Sequence, residues 1–262
     1  MEELTVELSG FDKNCIELLD TAPKRRSRHC FKSALYNLEL ADKILSIDPG
    51  MAIFRCITAE EEAATGLMYC LKERGYKNAE KLKPKDHVHK NSAIPFISIL
   101  FSFYGSFIKE NQLQNPVLHI QNQDGNKRLT LGFPLFINGE SHNAYPIPPL
   151  NFLFSVGNKS PSYKKQISDH IKDAEAKDIT THLKQVANSR NELLYASDDG
   201  YPIVSELQPE FIELRYRKVL TLLRAYLFIF PYAEQQPFVQ DALDAYLAML
   251  GKLPDHNLHD EV

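Results

Sequence analysis

Three short stretches carry residue types that can move protons or hold phosphate. The first is Glu60-Glu61-Glu62. On a helix, Glu60 and Glu61 stand three or four residues from both Ile57 and Ala64, so at least one carboxylate lies at the edge of an apolar stripe. A carboxylate there is costly unless it is paired or hydrogen-bonded. The second stretch is Asp86-His87-Val88-His89-Lys90. The third is Ser189-Arg190-Asn191-Glu192-Leu193-Leu194-Tyr195, running on to Asp199-Gly200. Arg190 breaks an apolar stripe between Val186 and Leu194 and offers a glutamate a partner.

The third stretch resembles the signature of HEPN-type proteins, and the metal-free RNA cleavage that this resemblance implies needs a base for the 2′-hydroxyl, a cation for the phosphorane charge and an acid for the leaving oxygen. Arg190 suits the cation, since its planar fork holds phosphate bidentately. Asn191 can orient the phosphate or the ribose. His87 or His89 suits the base, because imidazole titrates near neutrality. Tyr195 is a poor base, with an ordinary pKa of about 10, but it can donate a proton. Lys90 is a further RNA-binding candidate, and Glu61 joins the catalytic candidates as a carboxylate of the same polar constellation.

Spacing constrains these roles. His87 and His89 point about 200° apart on a helix, so they do not share a face, and no cysteine or confident carboxylate ligand completes a metal site near them. No metal and no cofactor is expected. Arg190 and Tyr195 stand about 140° apart on one helix, so converging requires a helix end near Asn191, a neighbouring helix or a second copy of the chain. The alternative reading of the third stretch is a capped helix end, with Arg190 paired to glutamate and Tyr195 packed in the core.

Arg190-Asn191 resembles the start of the HEPN signature: Arg, a polar residue and, a few positions later, His. HEPN-type proteins are helical bundles, many of them metal-independent ribonucleases. Tyr195 stands where that His is expected. The chain is also similar to the AbiV-like abortive-infection branch, in which a Glu-Glu helix precedes a His- and Lys-containing segment and then an Arg- and Tyr-containing segment that runs into Asp-Gly. The matching positions are Glu60 to Glu62, His87, His89 and Lys90, then Arg190, Tyr195, Asp199 and Gly200. The resemblance covers the helical parts and leaves about 111–161 unexplained. It implies action on RNA in phage defence or stress, a two-fold homodimer with the Arg190 helix at or near its interface, and room for an antitoxin or regulatory partner.

Composition limits the alternatives. The 262 residues are 44% hydrophobic and 24% charged, the make-up of a globular chain with a sizeable core. A net charge of −4 argues against coating nucleic acid indiscriminately, but leaves room for a local basic pocket. Lys24-Arg25-Arg26-Arg28 and Lys77, Lys81, Lys83, Lys85, Lys90 are candidates for one, although charge runs usually just face water. Cys15, Cys30, Cys56 and Cys70 form no CxxC pair, which suits reduced thiols in a cytoplasmic protein. The N-terminus opens with acids and reads as no signal peptide. The apolar stretch Ala93 to Ile108 holds Pro95, Gly105 and three serines, and reads as a buried helix rather than a membrane span.

The elements that must position these residues are mainly helical. Apolar spacing predicts helices at about 27–46, 51–74, a third from Pro84 bent at Pro95, then 163–176, 179–196, 209–230 and 237–250. Leu118 and Ile120, then Leu129 and Leu131, alternate with polar residues around Asp124-Gly125, a β-hairpin signal. The segment 139–161 reads as a long irregular loop. The expected fold is a single helical domain over 1–262, a bundle with an inserted hairpin and loop at about 111–161. Three functions compete: an RNA-directed endoribonuclease, a non-catalytic module binding a nucleotide, RNA or partner protein, and a scaffold that docks a partner on the hairpin.

Overall fold

The computed structural model describes residues 6–110, 112–151, 163–173, 200, 204 and 207–253. The chain is mainly helical with a small antiparallel sheet inserted. Its elements are α1 (Gly10–Thr21), α2 (Arg26–Ile44), α3 (Pro49–Glu73), a 3-10 turn (Ala79–Lys81), α4 (His87–Asn91), α5 (Ala93–Glu110), β1 (Val117–Gln123), β2 (Asn126–Ile137), β3 (Glu140–Ala144), α6 (Tyr163–Asp173), α7 (Pro209–Ile229) and α8 (Pro237–Met249). They fall into two compact units.

The first unit holds α1, α2, α3 as far as Cys70, α4 with its flanks, and α7 as far as Tyr226. Asp48 shows how local chemistry sets α3: its Oδ1 accepts the Met51 amide at 2.9 Å, and Pro49 takes the first helical position, where a missing N–H costs nothing. Gly75 ends the helix with φ of 71°, and the Tyr76 amide reaches back to the Leu71 carbonyl. Phe31 of α2 is fully buried, its ring 4.9 Å from that of Tyr226. A Cβ at Gly66 of α3 would lie 2.8 Å from the Phe31 ring, so only glycine lets α2 and α3 approach this closely. Arg55 of α3 donates to Asn37 of α2 at 2.9 Å, and Arg224 of α7 pairs with Asp12 of α1.

The second unit holds 71–82, α5 from Pro95, the sheet, α6, the end of α7 and α8. Rings interlock here: Phe96 with Tyr246 at 4.9 Å, Phe103 with Tyr163 at 6.3 Å, and Tyr163 with Phe238 at 5.7 Å. Strand order is β1-β2-β3, with Leu118 opposite Leu131 and Phe133 opposite Ala144. The hairpin turns at Asp124-Gly125, both at positive φ, as its sequence predicts.

Three expectations change. The helix read from Pro84 breaks at Ser92, whose Oγ bonds the Val88 carbonyl at 2.7 Å. Pro95 sits in the first turn of α5, where its missing donor has no partner to lose. That apolar helix is buried along Ala93, Phe96, Ile99, Phe103 and Ile108, yet Phe101 is 64% exposed. Among the described residues His87–Glu110 is the one stretch long and apolar enough to cross a membrane, its most apolar 18 residues having mean hydropathy 1.4 and 28% of them buried. Lastly, β3 lies at the start of the segment read as loop: Glu140–Ala144 is exposed throughout and carries no apolar alternation, so only its pairing with β2 makes it a strand.

Candidate functional site

Glu61 sits midway along α3 and is 7% exposed. Two side chains of α4 reach it: His87 Nδ1 lies 2.8 Å from Glu61 Oε1, and Lys90 Nζ donates to Oε2 at 2.6 Å. Residues 87 and 90 are three apart on one helix and therefore share a face. The lysine side chain is 12% exposed, the histidine 49%. Burial pushes the Glu61 carboxyl up, but the hydrogen bonds and charges of Lys90 and His87 outweigh it and hold the group below the ordinary carboxylate range. Glu61 is therefore an anion at neutral pH. An anion on that bond places a hydrogen on His87 Nδ1 and leaves Nε2 as the ring nitrogen turned to other partners.

The start of α4 is fixed by its own residues. Asp86 is the N-cap, its Oδ1 accepting the Val88 amide at 2.9 Å and the His89 amide at 3.4 Å. Burial raises the Asp86 carboxyl, but these two backbone amides, with the Lys83 charge, lower it further than burial lifts it. The Asp86 amide returns to the Lys83 carbonyl at 2.9 Å, closing a turn with Pro84 at its second position. His89 points inward: it is 1% exposed, and its Nδ1 accepts the Lys83 amide at 3.2 Å. So α4 presents His87 and Lys90 to Glu61 and turns His89 away from them.

Glu60 faces α7 instead, accepting Arg215 Nη1 at 2.7 Å with Lys218 Nζ at 3.4 Å. Arg215 also lies over the Phe211 ring, 4.4 Å from its centroid. Arg215 and Lys218 escape notice in the sequence because they sit on an ordinary amphipathic helix, 155 residues from Glu60 in the Arg215 pair. Arg190, Asn191, Tyr195 and Asp199 lie outside the described residues, as does the helix expected at 179–196. Gly200 is described and takes φ of 126°.

Other candidates resolve plainly. Lys24, Arg25 and Arg26 are exposed, Arg26 lying 4.2 Å over the Tyr69 ring. Arg28 and Lys32 both turn to Asp20. All four cysteines are buried thiols; burial pushes Cys15 up to about 11 and Cys56 up to about 12, which removes thiolate character. Among the described residues no group of three His, Cys, Asp or Glu is placed to hold a metal ion.

No family model matches the chain, and no curated protein or solved structure matches it.

Proposed function

We propose that the chain is an RNA-directed, HEPN-like protein of AbiV-like type that cleaves RNA without a metal, with His87 as the proton acceptor and Glu61 as the group that orients it. One observation carries this reading: a buried anionic carboxylate holds Nδ1 of a half-exposed imidazole at 2.8 Å. In the step, the 2′-hydroxyl proton passes to His87 Nε2 as its oxygen bonds phosphorus, and the bond from phosphorus to the 5′-oxygen breaks. Arg190 stabilises the phosphorane, Asn191 orients it, and Tyr195 protonates the leaving oxygen. A reduced, cytoplasmic setting suits the four buried thiols. A homodimer supplies the convergence that the Arg190 and Tyr195 spacing lacks, and phage defence or stress is the setting the resemblance suggests.

Incubating the protein with RNA in EDTA tests this. His87→Ala is expected to lower cleavage by about 10²- to 10⁴-fold. Full activity in that variant would remove the proposed centre, and activity that survives Arg190→Ala would remove Arg190 from it. A second reading, a non-catalytic module that binds RNA, a nucleotide or a partner, is favoured by the engagement of Lys90 with Glu61, which takes that cation away from the phosphate. It is distinguished by Arg190-dependent nucleotide binding with no cleavage.

A further inference from the structure

A polynucleotide held against His87 needs cations that are not already neutralised. Lys90 is poorly suited, because it is 12% exposed and donates to Glu61 at 2.6 Å. Lys83 and Lys85, in the turn immediately before His87, are both exposed. Neither forms an ion pair within salt-bridge distance among the described residues, although the Lys83 charge acts on the Asp86 carboxyl. We infer that Lys83 and Lys85 are the phosphate-binding residues of this site and take the sugar-phosphate backbone of single-stranded RNA where it runs past His87. This inference rests on RNA being the substrate.

The turn is built to hold them. The Lys83 amide is fixed by the buried His89 ring, and its carbonyl by the Asp86 amide, while Pro84 between the lysines restricts φ. Asp86, the nearest acid in sequence, is occupied by the Val88 and His89 amides as the cap of α4. Lys85 and His87 are two positions apart, a span of roughly 7 Å at most. A rigid mount reduces the entropy lost when RNA binds, and two exposed ammonium groups release counter-ions from the strand. The contact is to phosphate, so it gives affinity without base preference.

The test is a salt series of fluorescence anisotropy titrations with a labelled single-stranded RNA, in EDTA and in a His87→Ala background so that cleavage cannot intervene. Lys83→Ala/Lys85→Ala is expected to weaken binding about tenfold at low salt and to flatten the slope of log affinity against log salt by roughly 1.4, the counter-ions of two phosphates. Lys13→Ala/Lys43→Ala, which removes two exposed charges from α1 and α2, is expected to leave the slope unchanged. With His87 restored, the lysine pair is expected to slow cleavage of long RNA and to spare a dinucleotide. An unchanged slope alongside intact His87-dependent cleavage overturns the lysine assignment and leaves the nuclease reading standing. A flattened slope in a protein that never cleaves RNA does the reverse. No binding at any salt overturns both.

Discussion

His87 and His89 are two residues apart on α4 and do opposite work. His87 meets Glu61 with its ring half-exposed, whereas His89 is buried and accepts the Lys83 amide. Substitution should separate them. His87→Ala is expected to lower cleavage by about 10²- to 10⁴-fold and to cost only about 1 kcal/mol of stability, for the lost hydrogen bond to Glu61. His89→Ala deletes a buried ring and strands an amide, and is expected to cost about 2–4 kcal/mol of stability. Equal losses of stability in the two variants would contradict the arrangement.

Lys90 and Glu61 are mutually dependent because neither charge is well hydrated. Glu61→Gln removes the anion and leaves a nearly buried ammonium uncompensated, an expected loss of about 3–5 kcal/mol. Lys90→Met added to Glu61→Gln is expected to restore part of it, since an apolar side chain carries no desolvation cost. A double-mutant cycle by denaturant unfolding measures this coupling; strict additivity would mean the pair does not interact.

The same carboxyl predicts an acid response. Burial raises it, and the bonds and charges of Lys90 and His87 more than reverse that, so its folded value lies below its unfolded one. A depressed carboxyl stabilises the fold above its unfolded value, and that contribution is lost as pH falls through the folded value. Unfolding free energy, measured by urea titration from about pH 6 down to about pH 3, is expected to fall more steeply for the natural protein than for Glu61→Gln. Parallel profiles would locate the acid sensitivity elsewhere.

Much of this was legible before any coordinates. The 57–64 spacing put at least one of Glu60 and Glu61 at the edge of a stripe, and the separation of His87 from His89 by about 200° set the two rings on different faces. The partner expected for the glutamate was Arg190, outside the described residues, and not His87 or Lys90. The Asp124-Gly125 turn gave the hairpin. Helix α1 went unseen because Cys15, Leu18 and Leu19 are diluted by charge; its cap was the signal, Ser9 Oγ accepting the Asp12 amide at 3.1 Å. β3 left no signal, for its partners lie in β2 rather than in its own pattern. The Glu60 partners were equally hidden, since a contact between α3 and α7 is set by packing and not by local spacing.

Gly66 offers a packing test free of charge effects. Gly66→Ala gains helix propensity of about 1 kcal/mol, but its Cβ would meet the Phe31 ring at 2.8 Å and the Ser27 carbonyl at 3.0 Å. Overpacking of this kind costs about 1–3 kcal/mol, so a net loss is expected in thermal melts. Phe31→Leu in the same chain should relieve it. A more stable Gly66→Ala would show that α2 can move aside.

The hairpin supplies the last prediction, because its two ends differ. Leu129 and Thr130 are fully buried, Arg128 lies 5.2 Å over the Tyr232 ring, and the Tyr232 hydroxyl reaches Gln123 at 3.4 Å. Farther along β2, Phe136 and Ile137 are 65% and 50% exposed. Replacing both with threonine is expected to shift stability by no more than about 0.5 kcal/mol, since both side chains are at least half exposed. Deleting 115–136 removes the buried end as well, and is expected to strip hydrogen-exchange protection from α8 and from the end of α7, elements of the same unit. If protection there survives the deletion, the hairpin is an appendage, and its exposed edge becomes the natural place to look for a docked partner.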